Sequence, residues 1–132
     1  MLGERVVTAE KRNKATRIGA DLEERTLEFA AEVVAFVSAL PRTESAIVIG
    51  RQLLRAGTSI GANYREANRA ESRDDFSHKV AIAVKEAAET EYWLMLCHRI
   101  DLGPPESRSL LTAESNELIA ILSTILRRAR QN

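Results

Sequence analysis

The run Gly57-Thr58-Ser59-Ile60-Gly61-Ala62-Asn63-Tyr64-Arg65-Glu66-Ala67 decides the fold. Both its flanks read as helix, yet it carries two glycines, a serine and an asparagine. Each glycine inside a helix costs about 1 kcal/mol relative to alanine. What glycine offers in return is close approach of another backbone, because it has no side chain. Gly57 and Gly61 lie one turn apart and so predict a second helix pressed against that face. Ser59 and Asn63, also one turn apart, can hydrogen-bond locally or across helices to fix register. Gly57, Ser59, Gly61 and Asn63 are therefore read together as a helix-packing motif.

Working outward, hydrophobic periodicity predicts four helices and no strand. The first spans about Asp21 to Leu40, with Leu22, Phe29, Val33, Phe36, Val37 and Leu40 on one face and Pro41 as its stop. The second spans about Thr43 or Ser45 to Ala70, with Ile49, Leu53, Ala56, Ile60 and Ala67 inward and Tyr64 at the margin. Ser72 followed three residues later by Asp75 resembles a capping box and opens the third helix. That helix reaches about Ile100, where Asp101-Leu102-Gly103-Pro104-Pro105 breaks it. The fourth spans about Glu106 to Arg130, with Leu111, Leu118 and Ile125 repeating every seven residues. Short connections predict an antiparallel, up-down-up-down four-helix bundle over residues 21–132.

Residues 1–20 carry five basic and two acidic groups and no apolar block. They read as a basic N-terminal arm, disordered or loosely helical, and not as a secretory signal. The net charge of +0 conceals segregation: 1–20, 45–73 and 107–132 are basic, while 21–44 and 74–106 are acidic. Cys97 is the single cysteine, so there is no disulfide framework, and a cytoplasmic setting is expected. No apolar run approaches the roughly 20 residues of a membrane span.

The third helix is apolar on two faces. Phe76, Val80, Ala83, Val84, Ala87 and Leu94 occupy one; Ile82, Trp93, Leu96 and Ile100 lie roughly opposite. Burial on two sides in a four-helix bundle implies a neighbouring subunit. Ile82, Trp93, Leu96 and Ile100 are the candidate oligomer interface.

Helix 2 carries the main functional pattern. On a helical wheel Arg51, Arg55, Arg65 and Arg69 fall within about 40° of one direction, opposite the core, over about 27 Å. Arg73 joins them if the helix continues that far. Arginines on a smooth ridge suit phosphate contacts, so these five are candidate nucleic-acid ligands. The competing reading is a solvated face ion-paired to the acidic helices.

Other chemistry lacks a constellation. A di-iron bundle needs two Glu-x-x-His pairs, and neither His78 nor His98 follows a glutamate by three. His98 is expected at the core or rim, and Cys97 as a buried structural thiol. Glu86 and Glu89 read as ion-pair partners between helices or subunits. No catalytic residue, metal site or cofactor is expected.

The glycine run, together with Arg69-Ala70-Glu71-Ser72, Asp75-Phe76-Ser77-His78-Lys79 and Lys85-Glu86-Ala87-Ala88-Glu89-Thr90-Glu91-Tyr92-Trp93-Leu94, resembles the four-helix-bundle family of proteins encoded in intervening sequences of bacterial 23S ribosomal RNA genes. The resemblance runs from about Leu22 to Leu126 and is most specific over 51–94. It implies a closed ring-shaped homo-oligomer, with five subunits; the number five comes from the resemblance alone. Some relatives are accessory proteins of diversity-generating retroelements, in which a basic ring binds nucleic acid and a reverse transcriptase. RNA or DNA binding without catalysis is thus the leading expectation, although a pI of 6.8 departs from those basic relatives. The alternative is a protein–protein interaction or scaffold module.

Overall fold

The computed structural model describes the backbone of residues 2–131 and the side chains of residues 19–131. Within them lie four helices and no strand: α1 (Leu2–Ser38), α2 (Glu44–Ala67), α3 (Arg73–Arg99) and α4 (Pro105–Gln131). Three five-residue connections join them.

Each helix contributes a stripe at alternating three- and four-residue spacing. Leu22, Thr26, Phe29, Val33 and Phe36 come from α1; Ile49, Leu53, Ala56, Ile60, Tyr64 and Ala67 from α2. Val80, Ala83, Ala87, Thr90, Leu94 and Cys97 come from α3; Leu111, Ser115, Leu118 and Leu122 from α4. The hydroxyls inside the stripes donate to carbonyls of their own helix: Thr26 to Leu22, Thr90 to Glu86 and Ser115 to Thr112. These three buried hydroxyls are thereby satisfied without a cross-helix partner. Tyr64, expected at the margin, is buried.

Helix ends follow local chemistry. The Thr43 side chain caps α2, accepting from the Ala46 N–H. Ser72 caps α3 by accepting from the Asp75 N–H at 3.0 Å. Pro105 occupies the first position of α4, where a missing N–H is harmless. At the end of α3, Asp101 takes a left-handed φ of 53°. The Leu102 N–H then bonds the Cys97 carbonyl and the Asp101 N–H the His98 carbonyl, the two bonds of a Schellman stop.

Two boundaries differ from expectation. α1 starts at Leu2 and not near Asp21, so residues 1–20 fall largely within its N-terminal half. No proline interrupts that segment. α2 ends at Ala67 and not Ala70, which leaves Arg73 as the first residue of α3.

The glycines set how α1 meets α2. A Cβ built on Gly57 would lie 2.9 Å from a Val33 methyl. One on Gly61 would lie 2.8 Å from Thr26 Oγ1, 3.0 Å from its Cβ and 3.3 Å from its backbone carbonyl carbon. Gly50 faces Val37 and Leu40, and Arg65 and Arg69 reach Glu23. Partners on α1 therefore fall in number as those on α2 rise. The same reversal relates α2 to α3, where Arg55 meets Glu86 and Glu66 meets Lys79. α1 packs more sparsely against α4 than against α2.

By length and composition alone, α4 is apolar enough to cross a membrane; its Leu111–Leu122 stripe lies in the core.

Candidate functional site

The outward side of α2 holds four of the five candidate arginines, and three of them meet carboxylates from neighbouring helices. Arg55 reaches across to α3, donating to Glu86 at 3.2 Å and to Glu89. Glu89 also accepts from the Trp93 indole N–H at 3.1 Å. These bonds hold the Arg55 guanidinium above its ordinary pKa, the Glu89 hydrogen bond first among the causes. Glu86 and Glu89, read as interhelical or intersubunit partners, are thus interhelical.

Arg65 and Arg69 share Glu23 of α1, at 3.6 and 3.3 Å. Asn68 donates to the same carboxylate at 3.0 Å, and that hydrogen bond leads the causes lowering the Glu23 pKa. Arg51 is exposed and has no side-chain hydrogen bond or ion pair among the described residues. Arg73 stands apart at the start of α3. The structure therefore brings Arg51, Arg55, Arg65 and Arg69 onto one helix but divides their pairing among α1, α3 and solvent.

Glu23 was invisible as a partner because nothing in its own helix marks it. Its role comes from lying opposite the end of α2. The equivalent link from α1 to α4 is Arg25. Its Nε and Nη2 grip Glu114 in a two-bond fork, each 2.7 Å, and Nη2 also reaches Glu117. The Arg25 hydrogen bond is the main cause of a lowered Glu114 pKa.

Within the packing motif, Gly57 and Gly61 meet α1 as described. Ser59 and Asn63 bond their own helix instead, Ser59 Oγ to the Arg55 carbonyl and Asn63 Nδ2 to the Ser59 carbonyl. Among the interface candidates, Trp93 and Leu96 pack against the core, Ile82 is half-buried and Ile100 is exposed. The more exposed apolar side chains of α3 are Tyr92 (58%) and Met95 (57%). α1 exposes Leu27 (55%) and Val34 (45%), seven residues apart with exposed Ala31 between them. Their spacing is visible in the sequence, but nothing within α1 separates it from ordinary exposed apolar positions.

Cys97 is fully buried, and burial pushes its thiol pKa up. His98 is exposed at the rim. Among the described residues, no three His, Cys, Asp or Glu side chains form a group able to hold a metal ion.

Comparison with known proteins places this geometry. No curated protein matches the sequence. A solved structure from Bacteroides thetaiotaomicron, of a protein with unknown function from the S23 ribosomal protein family, is similar at a TM-score of 0.73 and 42% identity. The similarity covers 79% of this chain and 96% of that one. The sequence profile of the 23S rRNA-intervening sequence proteins matches residues 20–124, a span that takes in the glycine contact, the Glu23 and Glu89 pairings and all four core stripes. On that match, and on the fold it shares with its bacterial relative, the chain belongs to the 23S rRNA-intervening sequence protein family.

Proposed function

We propose that this chain is a non-enzymatic, self-associating bundle module of the cytoplasm, with helices in antiparallel up-down-up-down order. Positions along α1 and along α3 that fall as those on α2 rise support antiparallel packing of both pairs. The observation that carries self-association is the exposed stripe Leu27, Ala31 and Val34 on α1, with Tyr92 and Met95 adding a second on α3. Isolated exposed apolar residues are ordinary, but residues at i, i+4 and i+7 form one continuous strip about 10 Å long. A ring of identical subunits, five by family resemblance, would cover such strips. Light scattering tests this directly: a mass several times 14.7 kDa supports it, and a monomer at micromolar concentration overturns it.

The second reading is binding of RNA or DNA through α2, favoured by Arg51, which is unpaired among the described residues, and by the largely exposed Arg65 and Arg69 side chains. Arginines already paired to carboxylates have less to offer phosphate, which ranks this reading behind protein association. A protein partner such as a reverse transcriptase would dock on the same exposed faces. Affinity measured against salt separates the readings. Phosphate binding requires log K to fall with log salt, with a slope of about −0.7 per phosphate for single strands.

A further inference from the structure

We propose that the groove between the end of α3 and the start of α4 binds a small organic anion, a carboxylate or phosphate monoester on a short apolar body. The groove encloses about 430 Å³ and is lined by Met95, His98 and Arg99 of α3 and by Arg108, Thr112 and Asn116 of α4, among others. That volume falls in the range of roughly 300–1,000 Å³ typical of small-molecule sites. The i,i+4 spacing of Arg108, Thr112 and Asn116 puts all three on one side of α4.

Charge selects the ligand. None of the lining residues is a carboxylate. Arg99 and His98 have no side-chain hydrogen bond or ion pair among the described residues. Arg108 is only 4% exposed. Its Nη1 donates to the carbonyls of Leu102 and Gly103 at 3.0 and 3.1 Å, and its Nη2 to Asp101 at 3.1 Å. Its Nε is buried without a partner. A guanidinium has five N–H groups, so donor capacity remains. The Asp101 counter-charge is itself 85% exposed, and water weakens its hold.

An incoming carboxylate or phosphate would gain charge-assisted hydrogen bonds from Arg99 and the polar lining. Met95 supplies a deformable apolar wall for the rest of the molecule. The groove on the other flank of α4, against α1, has five glutamates and one arginine in its lining. Anions are therefore directed to the α3/α4 side. The site does not depend on nucleic-acid binding, and Met95 is the one lining residue it shares with the exposed α3 strip.

The test uses the full chain, with hexanoate and phenyl phosphate as probes, 1-hexanol as the neutral control and inorganic phosphate as the bare anion. Amide NMR resonances of residues 95–99 and 108–116 should move with hexanoate, phenyl phosphate or both, and the stronger probe identifies the acid group. Arg99→Gln, at an exposed side chain without partners, should leave the thermal midpoint unchanged and weaken binding about tenfold. Three results would overturn the site: no groove resonance moving with either organic anion, hexanol or inorganic phosphate binding as tightly as the organic anions, or unaltered binding by Arg99→Gln.

Discussion

At the scale of single residues, the three α2 glycines differ in what an added methyl would meet. Alanine gains about 1 kcal/mol of helix propensity over glycine at each position, while overpacking costs about 1–3 kcal/mol. Gly50 faces Val37 Cγ1 and Leu40 Cδ1 at 3.2 and 3.4 Å, both on half-buried residues, so a shift of a few tenths of an ångström makes room. Gly57 meets the stiff, branched Val33 at 2.9 Å. Gly61 meets Thr26 down to its backbone, which cannot move without shifting α1. Denaturant midpoints should therefore fall most for Gly61→Ala, less for Gly57→Ala, and barely for Gly50→Ala. A Gly61→Ala variant as stable as the parent would refute the close approach. The glycine pattern itself was legible, since propensity alone makes such residues costly. Arg108 was harder to read. Extending the α4 stripe back from Leu111 lands on it, but its Leu102 and Gly103 partners exist only once the loop has folded. Arg108→Leu should destabilise by about 2 kcal/mol, because carbonyls lose a charged donor; equilibrium unfolding measures it.

At the scale of helices, α1 is tied to its neighbours by Glu23 and by Arg25–Glu114. Both carboxylates have folded pKa values below their unfolded ones. Such groups stabilise the fold above the unfolded value, near pH 4.3, and that contribution disappears as pH falls through the lower folded values. Both are partly solvated, so the effect per residue is small. Acidification below about pH 4.3 should therefore loosen α1 before α2 and α3, seen as earlier amide exchange across residues 22–37. Glu23→Gln should flatten that pH dependence; an identical acid profile would show that the pairing contributes nothing. The α3 start offers a cleaner number: Ser72→Ala should cost about 1 kcal/mol through loss of its bond to the Asp75 N–H. Ser72 was recognisable from spacing alone because capping is local. The extension of α1 to Leu2 was not, since a polar segment without apolar periodicity gives no sign of helix beyond the absence of breakers.

At the scale of the molecule, self-association and phosphate binding make separable demands. Leu27→Glu with Val34→Glu places like charges on the exposed α1 stripe and should shift the light-scattering mass toward 14.7 kDa while helical content stays constant. An unchanged mass would move the interface elsewhere, Tyr92 and Met95 being next. If the second reading holds, Arg51→Gln should weaken RNA binding and reduce its salt slope by about one phosphate's share, without altering stability. Arg55→Gln is less informative, because it also strands Glu86 and Glu89.

The sequence by itself determined the number of helices among the described residues, the α2 core almost to the residue and most apolar core positions of the others, the Ser72 start, the Pro104-Pro105 break and the glycine contact, but not the buried hydroxyls Thr26, Thr90 and Ser115. Each follows from local propensity, from capping, or from a repeat close to 3.6 residues. Tertiary structure alone decided how the α2 arginines are used. The same stripe is an open phosphate ridge or a set of interhelical ties, depending on whether carboxylates face it. Glu23 lies over forty positions from Arg65 and Arg69, and Glu86 and Glu89 lie over thirty from Arg55. No periodicity within one helix records what stands across from it. That depends on which helix packs against each side of α2 and at what height, with α1 bringing Glu23 and α3 bringing Glu86 and Glu89.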